Sequence, residues 1–96
     1  MTAVLDQAVA ELNSRMQGQD LGGTAKFVLA GEGAILADDA GARAGDGPAD
    51  VTLTADADTF RAILAGDLDA TAAFMSGRLA VDGDMGMAMR LASVLA

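Results

Sequence analysis

The stretch ADVTLTADADTFRAILAGDL, residues 49–68, changes its hydrophobic period halfway along. As far as Ala55, its apolar residues alternate with threonines, which is typical of a half-buried β-strand. Beyond that point the apolar residues recur at helical spacing, at Phe60, Ile63 and Leu64. Asp56 or Asp58 can cap the helix, and Gly66 can end it. The stretch therefore predicts a strand that leads directly into an amphipathic helix.

The residues before this stretch predict a helix and then a β-hairpin. The first helix is predicted to end near Gly18. Its apolar residues form one stripe at helical spacing and are Leu5, Val9, Leu12 and Met16. TAKFVLAGEGAILADD, residues 24–39, has two alternating segments around a flexible turn at Gly31-Glu32-Gly33. A brief third strand is expected within GARAGDGP, residues 41–48. Consecutive hairpins favour antiparallel pairing.

The residues after this stretch predict two further helices around one strand. Asp69 can cap a short helix that Gly77 ends, RLAVDG (78–83) returns to strand, and Asp82 or Asp84 can open the last helix. The order is helix, three or four strands, two helices, strand, helix. It indicates an α+β fold in which the helices gather on one face of an antiparallel sheet. The length predicts a single domain over residues 1–96.

The last helix is apolar around an unusually wide arc. At about 100° per residue, roughly 220° of its circumference is apolar, and only Gly86, Arg90 and Ser93 fill the remainder. One packing surface needs about 100–140°. Three arrangements use the surplus: a deeper core position, an oligomer interface, or the wall of an apolar cavity. Methionines at 85, 87 and 89 bear on the choice because thioether side chains adapt their shape to varied partners.

The composition excludes several classes of function. The chain has no His and no Cys, so Ser-His-Asp triads, thiolate nucleophiles, disulfides and zinc–thiolate sites are ruled out. Asp-rich turns at 37–39 and 82–84 lack the ligand pattern of a calcium loop. We therefore expect no catalytic residues, no metal and no cofactor, and no activity as an enzyme.

The net charge and the N-terminal residues limit the kinds of partner and the location to be expected. A net charge of −8 repels phosphate backbones, so nucleic acid is not expected as a partner, and membrane contact is expected to be transient at most. The N-terminal residues carry Asp6 and Glu11 and lack the basic region of a signal peptide. No apolar run reaches the ~18 residues of a membrane span. A cytoplasmic protein is the expectation.

From about residue 22 to the end, the chain resembles the sterol carrier protein type 2 family of lipid-binding domains. Residues 49–68 resemble the family's strand, helix and turn, and ATAAFMSGRLAVDGDMGMAMRLASVL (70–95) resembles its closing segment. The matching anchors stand in order and with matching spacing at Asp50, Val51, Phe60, Leu64, Gly66, Phe74, Met75, Gly77, Leu79, Val81, Gly83 and Asp84.

The resemblance implies a twisted, mainly antiparallel five-stranded sheet with helices on one face and an apolar tunnel between them. It implies non-enzymatic binding and transfer of fatty acid, fatty acyl-CoA or sterol-like lipids. A core rich in Ala and Met and poor in aromatics suits a flexible alkyl chain better than a rigid sterol. The residues expected to line the tunnel are Phe27, Leu29, Phe60, Leu64, Phe74, Met75, Met85, Met89 and Leu95.

Two alternatives remain open at this point. In one, the apolar arc of residues 85–95 forms a protein interface, as a dimer or with another partner. In the other, the domain is an accessory module that presents an apolar substrate to a partner enzyme. The expected oligomeric state is a monomer or a weak dimer.

Overall fold

A computed structural model describes residues 3–17 and 22–95, with the side chains at 3, 4, 94 and 95 left aside. Within these residues the chain forms four helices and five strands, which occur in the order α1 (Ala3–Met16), β1 (Ala25–Ala30), β2 (Gly33–Asp38), β3 (Gly41–Ala44), β4 (Val51–Asp56), α2 (Ala57–Ala65), α3 (Ala70–Met75), β5 (Ala80–Gly83) and α4 (Met85–Leu95). None of these helices is both long enough and apolar enough to cross a membrane.

The sheet has the spatial order β3-β2-β1-β4-β5. The predicted hairpins pair antiparallel, and so do β4 and β5, while β1 and β4 are parallel. This parallel pair arises because the chain returns across the sheet after β3 and places β4 beside β1. The Asp50 N–H donates to the Thr24 carbonyl at 2.8 Å, and the Thr24 N–H donates to the Asp50 carboxylate at 2.9 Å. The predicted mainly antiparallel five-stranded sheet is confirmed.

One face of the sheet carries the core. The strands β1 and β4 alternate between buried and half-buried positions, as their sequence alternation predicts. A row of inward-facing side chains crosses the sheet in register, through Ile35, Phe27, Leu53 and Val81. The helices pack on this face and bury it. The prediction of helices gathered on one face is therefore confirmed.

The helices α1 and α2 are anchored by polar bonds as well as by apolar packing. Asp56 is the N-cap of α2 and accepts from the Thr59 N–H at 2.7 Å, which places the cap at the first of its two predicted positions. The Asn13 side chain donates to the Ala42 carbonyl at 3.0 Å and accepts from the Ala42 N–H at 2.8 Å. The Arg15 guanidinium donates to the carbonyl of Leu64, so α1 also holds the last turn of α2.

The short helix α3 and the strand β5 place α4. Asp69 is the N-cap of α3 and accepts from the Thr71 N–H at 3.3 Å. Asp84 accepts from the Met87 N–H at 3.1 Å and opens α4. Between them Gly83 adopts φ +102°, and a Cβ there would collide with the Asp50 carbonyl. The Asp-Gly-Asp motif thus serves a close chain crossing and a helix cap.

Candidate functional site

The described part of the apolar arc of α4, residues 85–93, divides between two environments. Met87, Ala88 and Leu91 are buried in the core. Met85 and Met89 lie on the other side of the arc and are 49% and 63% exposed. The surplus apolar surface predicted from the sequence is therefore not absorbed by the core. It forms one wall of an open cleft.

This α3/α4 cleft lies between α3, α4 and the β4–β5 edge of the sheet. Its volume is about 60 Å³. Nine of its ten lining residues are apolar, and Thr71 supplies the one hydroxyl. The lining consists of Leu53, Ala70, Thr71, Phe74, Leu79, Val81, Met85, Ala88, Met89 and Ala92. Leu53 and Leu79 are buried, whereas Phe74 is 44% exposed, so the cleft has a closed floor and an apolar mouth.

A second cleft lies between α1 and α2. This α1/α2 cleft has a volume of about 150 Å³ and a mixed lining. Its apolar residues come from both helices and from β1, and its polar residues are Gln7, Glu11 and Arg61. Arg61 also faces Asp58 across 3.6 Å in an exposed ion pair. A ligand in this cleft would meet charged and amide side chains, which the α3/α4 cleft lacks.

An aromatic pair occupies the core beside the α1/α2 cleft. The rings of Phe27 and Phe60 meet edge to face, with centroids 5.9 Å apart and planes at 76°. Phe27 is 1% exposed and belongs to the core, while Phe60 also lines the α1/α2 cleft. This geometry is favourable for aromatic rings and fixes both side chains. The row of inward-facing side chains runs from Phe27 to Leu53, which lies in the floor of the α3/α4 cleft.

Polar groups near the clefts have structural roles. The Arg78 guanidinium donates to the Thr59 hydroxyl at 3.3 Å. The Thr59 side chain and backbone N–H bind Asp56 and lower the pKa of that carboxyl, with a smaller contribution from the positive charge of Arg78. Hydrogen bonds from Arg43 and Lys26 lower the pKa values of Asp38 and Asp46, which lie outside both cleft linings. In residues 3–17 and 22–95, no cluster of three acidic groups is placed to hold a metal ion.

The structure distributes the nine predicted lining residues over several places. Leu29, Phe60 and Leu64 line the α1/α2 cleft. Phe74, Met85 and Met89 line the α3/α4 cleft. Phe27 lies in the core, and Met75 is 80% exposed and lines neither cleft. The side chain of Leu95 lies outside the described part of the chain. The ligand-binding role of all nine residues stays a prediction.

Sequence reasoning missed most of the small residues in the cleft walls. Ala70, Ala88 and Ala92 line the α3/α4 cleft. No signal distinguishes them in a chain with 22 alanines. Leu79 and Val81 were recoverable, because their alternation places both on one face of the segment that includes β5. Leu53 was recoverable for the same reason in β4.

Comparison with known proteins decides the family. The model of the SCP-2 sterol transfer family matches residues 3–96. The chain belongs to this family. The resemblance inferred from the motifs at 49–68 and 70–95 is therefore confirmed, and the match extends to the N-terminal helix as well.

Curated relatives are longer proteins that contain a similar region. The hydroxysteroid dehydrogenase-like protein 2 of Danio rerio is 42% identical over 82 residues, which cover 77% of this chain and 20% of that protein. The protein of the same name from Xenopus laevis is 45% identical over 47 residues, or 49% of this chain and 11% of that protein. This chain thus spans about a fifth or less of the length of these SCP-2-containing relatives.

Solved structures share the fold. The solution structure of sterol carrier protein 2 from Aedes aegypti, in complex with the C16 fatty acid palmitate, has a TM-score of 0.79 at 24% identity, covering 100% of this chain and 97% of that one. The crystal structure of sterol carrier protein 2-like 2 from the same organism has a TM-score of 0.79 at 20% identity, with 95% of each chain covered. These likenesses confirm the SCP-2 fold.

Proposed function

We propose that this SCP-2 domain binds and transfers apolar lipids with an acyl-like chain and carries out no chemistry on them. The observation that carries the proposal is the α3/α4 cleft, whose lining is apolar except for Thr71. An acyl chain gains free energy there by leaving water and needs no hydrogen-bond partner. The palmitate complex of the Aedes aegypti protein, which has the same fold, supports a fatty acyl ligand.

Ligand entry requires the α3/α4 cleft to widen. Its volume of about 60 Å³ is small beside the ~300 Å³ or more of typical ligand pockets. Two features of the walls favour widening. Met85 and Met89 are flexible and more than two-fifths exposed. No side-chain hydrogen bond joins residues 70–75 to residues 85–93 in the described chain. Movement of α4 away from α3 is the step that admits and releases the ligand.

A tunnel between sheet and helices would extend this cleft toward the α1/α2 cleft. The predicted lining residues divide between the two clefts, and the core around Phe27 lies between the groups. A long acyl chain would have to displace the edge-to-face contact of Phe27 and Phe60 to pass from one to the other. In this proposal, the tail of the acyl chain first occupies the part of the α3/α4 cleft over Leu53.

The proposal also covers the absence of catalysis, the affinity for lipid, the location and the oligomeric state of the domain. Binding without catalysis agrees with a sterol transfer family. The dissociation constant is expected on the order of micromolar, because the free energy of apolar burial is offset by the cost of ordering the chain and the cleft walls. A cytoplasmic location and a monomer or weak dimer stay predictions.

A pair of cleft-filling variants tests the site. Ala92→Phe fills the α3/α4 cleft, and Ala65→Phe places the same side chain in the α1/α2 cleft. Ala92→Phe should weaken uptake of a fluorescent fatty acid at least tenfold, while Ala65→Phe should retain it. Native mass spectrometry of gently purified protein should show a bound lipid. Protein that carries no lipid and takes up no fatty acid would refute the proposal. Loss of uptake in Ala65→Phe alone would move the ligand to the other cleft.

A second candidate function follows from the longer relatives. The Danio rerio relative has a dehydrogenase-like name, and this chain corresponds to a fifth of it. In this second proposal the domain presents an apolar substrate to a partner enzyme. A pull-down from native extract that recovers a dehydrogenase with the wild-type domain, and not with Ala92→Phe, would favour presentation over simple transfer.

A further inference from the structure

The exposed large apolar side chains of the described residues all lie in one region of the molecule. They are Phe74, Met75, Met85 and Met89, with exposed fractions of 44%, 80%, 49% and 63%. We call these four residues the mouth patch. They come from the end of α3 and the first half of α4. Single exposed apolar residues are ordinary on protein surfaces, but a cluster beside a cleft needs a physical explanation.

Three of the four residues of the mouth patch lie at the α3/α4 cleft. Phe74, Met85 and Met89 are themselves part of the cleft lining. Met75 is not, but at about 100° per residue it lies roughly 40° beyond the cleft-lining Thr71 around α3, on the side away from the buried Ala73. Met75 therefore extends the apolar surface outward from the cleft wall.

We propose that the mouth patch docks onto an uncharged lipid surface, so that an acyl chain passes from the bilayer into the α3/α4 cleft without crossing water. This inference rests on the proposed lipid-binding function and names the surface from which the ligand comes. Docking inserts the four side chains among lipid acyl chains, where their apolar area leaves water. The contact is transient because the patch is small.

The size and chemistry of the mouth patch favour lipid over a protein partner. At about 200 Å² for a fully exposed large side chain, its four residues present roughly 500 Å² of apolar surface. A stable protein interface buries about 800 Å² on each partner and carries about ten hydrogen bonds. The patch and the cleft behind it offer Thr71 as their one polar side chain. A hydrocarbon layer requires no polar partners.

The surrounding charges favour a lipid surface without net charge. Asp82 and Asp84 are exposed just before Met85, while Arg78 and Arg90 are the exposed basic residues next to the patch in the sequence. These four charges sum to zero, but the whole chain has a net charge of −8. An anionic bilayer therefore repels the domain as it approaches. Two copies of the chain repel each other for the same reason, which disfavours the patch as a dimer interface.

Vesicle flotation with two matched variants tests the docking surface. Met75→Gln removes the most exposed patch residue without touching the cleft lining. Val28→Thr makes a comparable apolar-to-polar change on the opposite sheet face, where Val28 is half-buried. The probe is a set of ligand-free phosphatidylcholine vesicles. Wild type and Val28→Thr should float with them, and Met75→Gln should partition about tenfold less, because one large apolar side chain no longer inserts.

A labelled pair gives an independent readout of orientation. The chain has no cysteine, so Met75→Cys and Val28→Cys each create one labelling site. An environment-sensitive fluorophore at position 75 should shift to the blue with phosphatidylcholine vesicles, and one at position 28 should not. Equal shifts at both positions, equal flotation of all variants, or tighter binding to vesicles containing phosphatidylserine would overturn the proposal. Concentration-dependent dimerisation that Met75→Gln abolishes, without flotation, would assign the patch to a second copy instead.

Fatty acid uptake without vesicles separates this inference from the proposed function. Since Met75 lies outside the lining of the α3/α4 cleft, Met75→Gln should retain fatty acid uptake. Loss of uptake in this variant would instead support the ligand-lining role that the sequence predicts for Met75 and would reject its assignment to docking alone. Normal uptake together with absent vesicle docking would reject the docking surface and leave lipid binding intact. Absent uptake by the wild type would reject lipid binding itself.

Discussion

The α1–α2 half and the α3–α4 half of the helical layer cover the same sheet, but they are held in different ways. In the first half, Asn13 binds the edge strand β3 and Arg15 binds the end of α2. In the second half, no side-chain hydrogen bond joins the described residues of α3 to those of α4, and the cleft between them is apolar except for Thr71. Polar bonds have strict geometry, whereas Met and Phe contacts can rearrange. The first half therefore has polar bonds that hold the fold together, and we expect the second half to be the part that opens.

Phe60 and Phe74, which line the two clefts, should show the largest difference between the halves. Phe60 is 4% exposed and pairs with Phe27, whereas Phe74 is 44% exposed. Phe60→Ala should lower the free energy of unfolding by about 3–5 kcal/mol, and Phe74→Ala by about 1 kcal/mol. Urea unfolding measures both values. Phe74→Ala should in turn weaken fatty acid uptake, although it scarcely changes stability. Equal losses of stability would contradict the division between the two halves.

The hydrogen bonds between α1 and β3 are expected to make the next largest contribution to stability. Asn13→Ala removes both hydrogen bonds to Ala42 and should cost about 1–2 kcal/mol of stability. The Ala42 amide should also exchange its hydrogen faster, since its acceptor is gone. Ser14→Ala is the matched control, because Ser14 is exposed on the same helix. Fatty acid uptake should be unchanged in both variants. Weaker uptake in Asn13→Ala would show that the two halves are coupled.

The smallest effect concerns the charge that caps α2. The bonds to Thr59 lower the pKa of Asp56 in the folded state, so ionised Asp56 stabilises the fold above its ordinary pKa of about 3.8. That contribution is lost as the pH falls through the lowered value. Asp56→Asn retains a good cap residue and removes the charge. Its Tm should lie below that of wild type near pH 7, and the difference should shrink below pH 4.

A matched control isolates this effect. Asp58→Asn removes the same charge two residues later, where the 3.6 Å ion pair with Arg61 is exposed. Such a pair contributes little, so the Tm at pH 7 should stay close to that of wild type. A constant difference between Asp56→Asn and wild type from pH 7 to pH 3 would rule out the charge of Asp56 as its cause.

Some features of the site were predictable because they depend on neighbouring residues. Helix caps belong to this group, since Asp56, Asp69 and Asp84 all stand next to the helices they cap. Inward-facing strand residues such as Phe27 and Leu53 also belong to it, because side chains alternate along a strand. The surplus apolar arc of α4 was visible for the same reason, but the sequence left open what covers it.

Other features depend on which elements meet. The parallel pairing of β1 and β4 follows from the chain's return after β3, which the hairpin pattern did not indicate. Phe60 and Phe74 both follow an aspartate cap in a short helix and both line a cleft, and yet Phe60 is buried while Phe74 is exposed. Met75 and Met85 are both exposed at a helix end, but only Met85 lines the α3/α4 cleft.

The sequence by itself determined the α+β class, the approximate positions of the helices and strands, and the absence of His and Cys chemistry. These depend on residue type and on short-range periodicity, both of which can be read directly from the sequence. The family was inferred separately, from the resemblance of the motifs at 49–68 and 70–95, and is shown by the match to the SCP-2 family model. Only the tertiary structure decided that the apolar residues line two separate clefts, one with charged and amide side chains and one that is apolar except for Thr71. Burial is a property of distant elements packed together, and no local pattern specifies how closely two helices approach.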